Sequence, residues 1–367
     1  MKILIIAKSL NVADGQGRYA VELVNQLANR CQLTILTSET GGNTGDINSR
    51  AVIVKIPDLL NLRGNLINLL KYFIKFRKLL KHQDLVHFFT DLPNYLLFSP
   101  ICLTRAKIPF FITAHGTFAI RLLDNKKYSW LAKKLFLKAI KIICVSRFTE
   151  HEIQTRLPAA VTCIINNGVD YNKFHPQVKK PVQVNKIISV GACKARKGYY
   201  LSLEIIKRLK ENFPDIKYVI IGSQADIGYV NQLNKKISDD SLTANICLKE
   251  NISDQELADI YQTAGIFLLA SQSVDKNFEG FGLVFLEAAA AGLPAIGFSG
   301  SGAEDAIKDG YSGYLVGSPE EAVKKITLLL TDDNLRQQLG SQAQCWAKEH
   351  DWQVVVRQYI KLYDQMG

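Results

Sequence analysis

Two glutamates with seven residues between them stand in a glycine-rich stretch, NFEGFGLVFLEAAAAGLPAIGFSGSGAEDAIKDGYSGYLV, residues 277–316. Gly280 and Gly282 let the backbone come close to a ligand. LVFLEAAAA is rich in strong helix formers, so a helix is predicted from near Leu283 to Gly292, ahead of Pro294. Glu279 then lies on the loop before the helix and Glu287 lies within it. The first N–H groups of a helix, here in Phe281, Gly282, Leu283 and Val284, suit a phosphate. The carboxylates suit neutral sugar hydroxyls rather than the phosphate itself. Sugar and phosphate in one place describe a nucleotide sugar. A second polar group, VGACKARKG at 190–198, brings Lys194, Arg196 and Lys197 after Gly191. A third is His115, which ends the apolar run IPFFITA and should project from the carboxyl end of a strand.

Such groups need a scaffold. Short, continuously apolar, β-branched runs recur at 2–7, 33–37, 51–56, 84–89, 109–113, 140–145 and 161–165. They recur again at 186–190, 217–221, 245–248, 265–270 and 294–298. Runs without alternation are covered on both faces, which implies parallel sheets with helices between the strands. The pattern breaks once, at HPQVKKPVQVN, 175–185, which reads as a linker. The expected class is α/β, with two Rossmann-like, doubly wound parallel-sheet domains facing across a cleft. Their bounds are 1–175 for the acceptor domain and 176–345 for the nucleotide-sugar domain. An amphipathic helix over 346–367, carrying Trp346, Trp352, Val355, Val356, Tyr359 and Leu362, should pack back on the first domain. Ligands of such sheets lie at the carboxyl ends of the strands.

Composition narrows the function. The 367 residues carry a net charge of +11, but residues 1–175 hold 24 of the 45 Lys and Arg and 11 of the 34 Asp and Glu. The surplus therefore belongs to the first half. The seven cysteines are scattered and include no C-x-x-C pair, so neither a disulfide framework nor a zinc site is indicated. MKILIIAKS is too short an apolar stretch for a secretory leader, and no run approaches the length of a membrane span. A cytoplasmic chain with reduced thiols, peripheral on the inner face of a membrane at most, is the expectation.

Several segments together resemble glycosyltransferase family 4, the retaining group 1 enzymes of the GT-B fold. The Glu-x₇-Glu signature lies in EGFGLVFLEAAAAGLPAI. VGACKARKG is similar to the family's basic diphosphate loop, SDQELADIYQTAGIFLLAS (253–271) to the helix and strand before the signature, and INNGVDYNKFHP (165–176) to its connector. ITAHGT, CVSRFTEHEI and GQGRYAVEL match landmarks of the first domain. The resemblance covers essentially the whole chain. It implies transfer of a sugar from a nucleotide diphosphate to an acceptor with retention of anomeric configuration, in cell-envelope polysaccharide or glycolipid synthesis. It implies that Glu279 binds donor-sugar hydroxyls and Glu287 the ribose. Arg196 and Lys197 neutralise the diphosphate, and His115 contacts the donor sugar. The loop with Gly15 and Gly17 touches donor phosphate. No metal or other cofactor is expected. Where the family often has Arg two positions after the loop's valine this chain has Ala192, and it has Asp14-Gly15 where Gly-Gly is usual.

Other readings compete. Gly15-x-Gly17-x-x-Ala20 with Glu39 mimics a dinucleotide fingerprint, but SLNVAD separates strand from glycine, which a tight Rossmann turn does not allow. An NAD(P)-dependent oxidoreductase would also leave the second-half motif unused. A nucleotide-sugar epimerase of the same architecture is the nearer alternative. Gln16 and His87 are candidates for the acceptor side, and the acceptor is a glycan, a lipid-linked sugar or a small molecule. The basic stretches 61–82 and 125–141 place lysines beside apolar residues at helical spacing. Lys71, Lys75, Lys78 and His82 share one helical face in the first, and Lys127, Lys134, Lys138 and Lys141 share one in the second; the alternative is that the apolar faces pack on the sheet and the lysines are solvated. Such patterns fit an anionic membrane surface, and lack the interleaved stacking aromatics of a nucleic-acid binder.

Overall fold

The computed structural model describes all residues except 13–14, 39–46, 57–73, 90–107, 179, 275–276 and 366–367. The chain forms two units, one of Met1–Asn167 with Trp352–Gly367, the other of Gly168–Asp351. The division falls at Asn167/Gly168 rather than at 175/176.

Among the described residues the first unit is built on seven strands: β1 (Lys2–Ile6), β2 (Gln32–Ser38), β3 (Val52–Ile56), β4 (Leu85–Phe88), β5 (Phe110–Ala114), β6 (Lys141–Cys144) and β7 (Thr162–Ile164). Their order is β3-β2-β1-β4-β5-β6-β7, every pair parallel. β1, β4 and β5 are buried almost throughout, as their continuous apolar runs require. The helix Trp352–Asp364 adds Trp352, Val355, Val356, Tyr359, Leu362 and Tyr363 to this unit's core. Each such side chain contributes about 1.5–3 kcal/mol of burial. Trp346 belongs elsewhere: it lies in the preceding helix, Asp333–Glu349, of the second unit, and its indole N–H donates to the Ala306 carbonyl at 3.0 Å. The expected single helix over 346–367 is therefore two helices, parted at His350 and Asp351.

Among the described residues the second unit has six parallel strands: β8 (Gln183–Val190), β9 (Lys217–Ile221), β10 (Ile246–Lys249), β11 (Ala264–Leu269), β12 (Ala295–Phe298) and β13 (Gly313–Val316). Their order is β10-β9-β8-β11-β12-β13. Each sheet reverses its strand order once, between β1 and β4 and between β8 and β11. That is where an open α/β sheet leaves a crevice at its carboxyl edge.

The two basic stretches differ from expectation. Most of 61–82 lies outside the described residues. Within 74–80, which is helical, Phe76 and Leu80 are buried and Lys75 donates to the Lys55 carbonyl at 2.6 Å. In 125–141 the helix spans only Ser129–Phe136. Lys127 precedes it and Lys141 opens β6, so Lys127, Lys134, Lys138 and Lys141 do not share one helical face. Among the described residues no helix is long and apolar enough to cross a membrane.

Candidate functional site

In the second unit the chain leaves β8 at Val190 and turns through Gly191 into a short 3₁₀ segment, Ala195–Lys197. Gly198 follows with φ +67°, and the helix Tyr199–Lys210 starts there. A Cβ at Gly198 would lie 1.7 Å from the Ala270 carbonyl oxygen, so only glycine lets this turn press against the end of β11. The Gln272 N–H donates to the Arg196 carbonyl at 2.9 Å, and the Tyr199 hydroxyl donates to the Gly191 carbonyl at 2.6 Å. The basic turn is thus fastened to the carboxyl ends of β8 and β11, on either side of the strand-order reversal.

The loop after β11 brings Glu279 to the same place. Lys197 Nζ donates to Glu279 Oε2 at 2.6 Å, and Arg196 Nη1 donates to the same oxygen at 2.9 Å. Ser271 Oγ is 3.5 Å from it. Lys197 and Glu279 are both buried, whereas Arg196 is half-buried and Lys194 is exposed. Burial works to raise the Glu279 pKa, but the charges of Lys197 and Arg196 outweigh it and hold the carboxyl below its ordinary value. Burial, aided by Arg196, lowers Lys197 against the attraction of Glu279. The Glu279 backbone is fixed as well, since the Gly302 N–H donates to its carbonyl at 2.8 Å. Gly302 approaches so closely that a Cβ there would sit 2.0 Å from the Gly280 oxygen.

The helix Leu283–Ala290 begins after Gly282, which adopts φ +83°. Phe281 is buried, while Gly280, Leu283 and Val284 are half-buried. The first-turn N–H groups of Leu283 and Val284 precede any intrahelical acceptor. Glu287 is not a solvated helix residue: it is 2% exposed, and the Tyr261 hydroxyl donates to its Oε2 at 2.9 Å. Tyr261 ends a helix, Asp254–Thr263, directly before β11 and is fully buried. Nothing in the sequence marks it out, because a single tyrosine on an apolar helix face reads as packing.

In the first unit His115 follows β5 and is half-buried. Its Nε2 lies 2.9 Å from the Phe89 carbonyl at the end of β4, and Tyr19 packs edge-on against its ring at 4.5 Å. Gly17 is buried, and a Cβ there would lie 2.1 Å from the Asn11 oxygen. Gly15 is exposed and Gln16 half-buried; Asp14 and Glu39 lie outside the described residues. His87 corrects an expectation. It sits within β4 rather than at its end and is fully buried. Its Nδ1 is 2.6 Å from the Tyr363 hydroxyl and its Nε2 is 2.9 Å from Thr113 Oγ1. It is a core histidine linking the last helix to the sheet, with no free ring nitrogen to offer an acceptor.

Among the described residues no group of three or more His, Cys, Asp or Glu is placed to hold a metal ion. Positive charge at the site comes from Lys197 and Arg196.

Comparison with known proteins agrees with this geometry. Residues 13–173 match the family described as Glycosyltransferase Family 4, and residues 170–346 match Glycosyl transferases group 1. An uncharacterized glycosyltransferase of Methanocaldococcus jannaschii is 26% identical over 86% of this chain and 85% of its own. The phosphatidyl-myo-inositol mannosyltransferase of Mycobacterium tuberculosis is 24% identical over 80% of this chain and 77% of its own. Among solved structures, Anabaena HepE in complex with UDP-glucose superposes with a TM-score of 0.79 at 17% identity, covering all of both chains.

Proposed function

The chain belongs to the group 1 glycosyltransferases of family 4, with the GT-B fold, and we propose that it moves a sugar from a nucleotide-diphosphate donor to an acceptor with retention of anomeric configuration. The observation that carries this reading is the convergence of Lys197 and Arg196 on Glu279 at the reversal between β8 and β11. Two cations and one carboxylate there match the two halves of a nucleotide sugar. The cations face a diphosphate, and the carboxylate accepts from sugar hydroxyls. Glu287, oriented by Tyr261, would accept from the ribose hydroxyls. The complex of HepE with UDP-glucose supports a donor of this class.

In the proposed step the bond from the anomeric carbon to the phosphate oxygen breaks, and a bond to the acceptor oxygen forms on the same face. The acceptor's proton passes to the departing phosphate, whose charge Lys197 and Arg196 steady. No metal or other cofactor has a part in this reading. His115 stands at the carboxyl edge of the first unit's own sheet, the edge where ligands of such sheets lie. The acceptor is a glycan, a lipid-linked sugar or a small molecule; the named activity of the mycobacterial relative favours one attached to lipid.

A panel of nucleotide sugars, scored by release of the nucleotide diphosphate in the presence of candidate acceptors, tests the reading. Release with one donor, linked to glycosylation of an acceptor, is the expected result. Epimerised nucleotide sugar without transfer, or a preference for NADH over every nucleotide diphosphate in calorimetry, would overturn it.

A further inference from the structure

The segment from Phe118 to Lys141 exposes large apolar side chains among lysines. Its large apolar side chains include Trp130, 61% exposed, with Leu137, Tyr128, Phe118 and Ile140 also open to solvent. Trp130 and Tyr128 lie beside the helix start, and Leu137 caps the helix end. Trp130, Lys134 and Leu137 follow one another at helical spacing, and the Lys134 ammonium lies 5.4 Å from the Trp130 ring. The opposite side of the helix is spent on the core through Ala132, Leu135 and Phe136. The outward side is therefore not the packing face.

Charge on this segment has one sign. Lys126, Lys127, Lys134 and Lys138 are exposed, and Lys133 is half-buried. None of the five is ion-paired among the described residues. The segment's sole carboxylate, Asp124, is held by Arg156 at 2.9 Å and so does not offset them. Exposed Trp130, Tyr128 and Leu137 together with exposed lysines in one segment combine two properties. The aromatic rings favour the boundary between headgroups and acyl chains, and the ammonium groups favour anionic headgroups. A nucleic acid would use the charge but leave Leu137 and Ile140 without a partner, and a neutral protein would leave the lysines without one.

We propose that the segment Phe118–Lys141 is the surface by which this protein docks on a bilayer containing anionic phospholipid, with Trp130 and Leu137 entering the headgroup boundary. This replaces two long amphipathic helices with one segment of the first unit. A transferase held in this way meets acceptors that reside in the bilayer. That consequence rests on the transfer reading, whereas the docking itself does not.

The test is sedimentation of the full chain with vesicles of phosphatidylcholine alone and of phosphatidylcholine mixed with phosphatidylglycerol, at low and high salt. Binding to the mixed vesicles at low salt, weakened by salt, is expected. Each of Lys126, Lys127, Lys134 and Lys138 changed to Gln should weaken it about fivefold. Trp130→Ser with Leu137→Ser should abolish it while the thermal midpoint and nucleotide-diphosphate binding stay unchanged. Brominated acyl chains should quench tryptophan emission in the wild type and not in Trp130→Phe, since Trp352 is buried and Trp346 is half-buried with its indole N–H held by the Ala306 carbonyl. Equal binding to both vesicle types, no binding at low salt, unchanged binding by the serine variant, or quenching that survives Trp130→Phe would each overturn the proposal. So would capture of an oligonucleotide in place of vesicles at the same salt.

Discussion

Lys197 Nζ and Glu279 Oε2 lie 2.6 Å apart across 82 residues of sequence, and both side chains are buried. The pair joins the turn after β8 to the loop after β11, so it is at once a structural clasp and the centre of the proposed donor site. Removing one member of a buried pair strands the other charge. Lys197→Ala and Glu279→Ala should each lower transfer ~10²-fold or more. Glu279→Ala, which strands the Lys197 ammonium, should also cost about 3–5 kcal/mol of stability in the second unit, and Lys197→Ala less, because Arg196 still holds Glu279. The double variant should cost less stability than the two single effects combined, because no charge is then stranded. Because Glu279 titrates below its ordinary value, its contribution is complete at neutral pH and is lost only when acid protonates it. Thermal melts and rates on the three variants check the cycle; additive stability losses would show that the two residues act apart.

Tyr261→Phe isolates the second carboxylate. The change removes one hydroxyl from a fully buried ring and leaves Glu287 without the donor at 2.9 Å. Leaving a buried acceptor short of a partner costs about 1–3 kcal/mol. Nucleotide-diphosphate affinity should therefore fall, raising KM for the donor, with kcat little changed. Calorimetric titration of the diphosphate reads this, and an unchanged affinity would show that Glu287 does not touch the nucleotide.

The strands were legible because each is a short apolar run without alternation, and the structure makes a strand of every run named. β13 escaped because its four residues, GYLV, lie inside a glycine-rich stretch that reads as loop. Glu279, Glu287, Arg196 and Lys197 stood out by residue type and spacing, but their pairing did not. Spacing along a chain does not say that the turn after β8 abuts the loop after β11; the strand order does. Tyr261 and Tyr363 were invisible for the converse reason, since an aromatic on an apolar face looks the same whether or not its hydroxyl has work to do. His87 misled because a histidine in a strand gives no sign of which neighbours will meet its ring nitrogens.

Gly198 and Gly300 both have positive φ, at +67° and +86°, but only Gly198 faces an obstacle, the Ala270 carbonyl. Gly300→Ala should cost ~1 kcal/mol, the strain of a left-handed alanine. Gly198→Ala adds a backbone collision beside Lys197 and should cost more than ~3 kcal/mol. It should also weaken diphosphate binding. Melting both variants side by side separates conformational strain from collision, and equal losses would refute the close approach.

With Lys197 and Arg196 proposed to carry the charge a metal would otherwise supply, transfer should be indifferent to chelators. Addition of EDTA to enzyme with donor and acceptor should leave the rate unchanged, while Arg196→Ala should lower it. A rate abolished by EDTA and restored by a divalent cation would assign the diphosphate charge to a metal instead.

His87 sets a pH dependence for the first unit. Burial first, and then the nearby His115, push its pKa well below the ordinary 6.5, so the ring stays neutral between Tyr363 and Thr113. The tyrosines around it, Tyr19, Tyr359 and Tyr363, are shifted upward by burial and also stay neutral. Above pH 6.5 the folded and unfolded chains both carry a neutral His87, and its contribution to stability is complete. Below that value the unfolded chain takes up a proton that the fold excludes. Stability then falls as pH falls, by up to about 1.4 kcal/mol per pH unit until the folded pKa is passed. His87→Asn should be less stable at neutral pH, having lost packing and a hydrogen bond, yet should lose less on acidification. Thermal unfolding of both proteins from pH 7.5 downward, with the difference plotted against pH, reads this directly, and His350 in the other unit cancels from the difference. Parallel curves would mean that His87 protonates in the fold as readily as in the open chain.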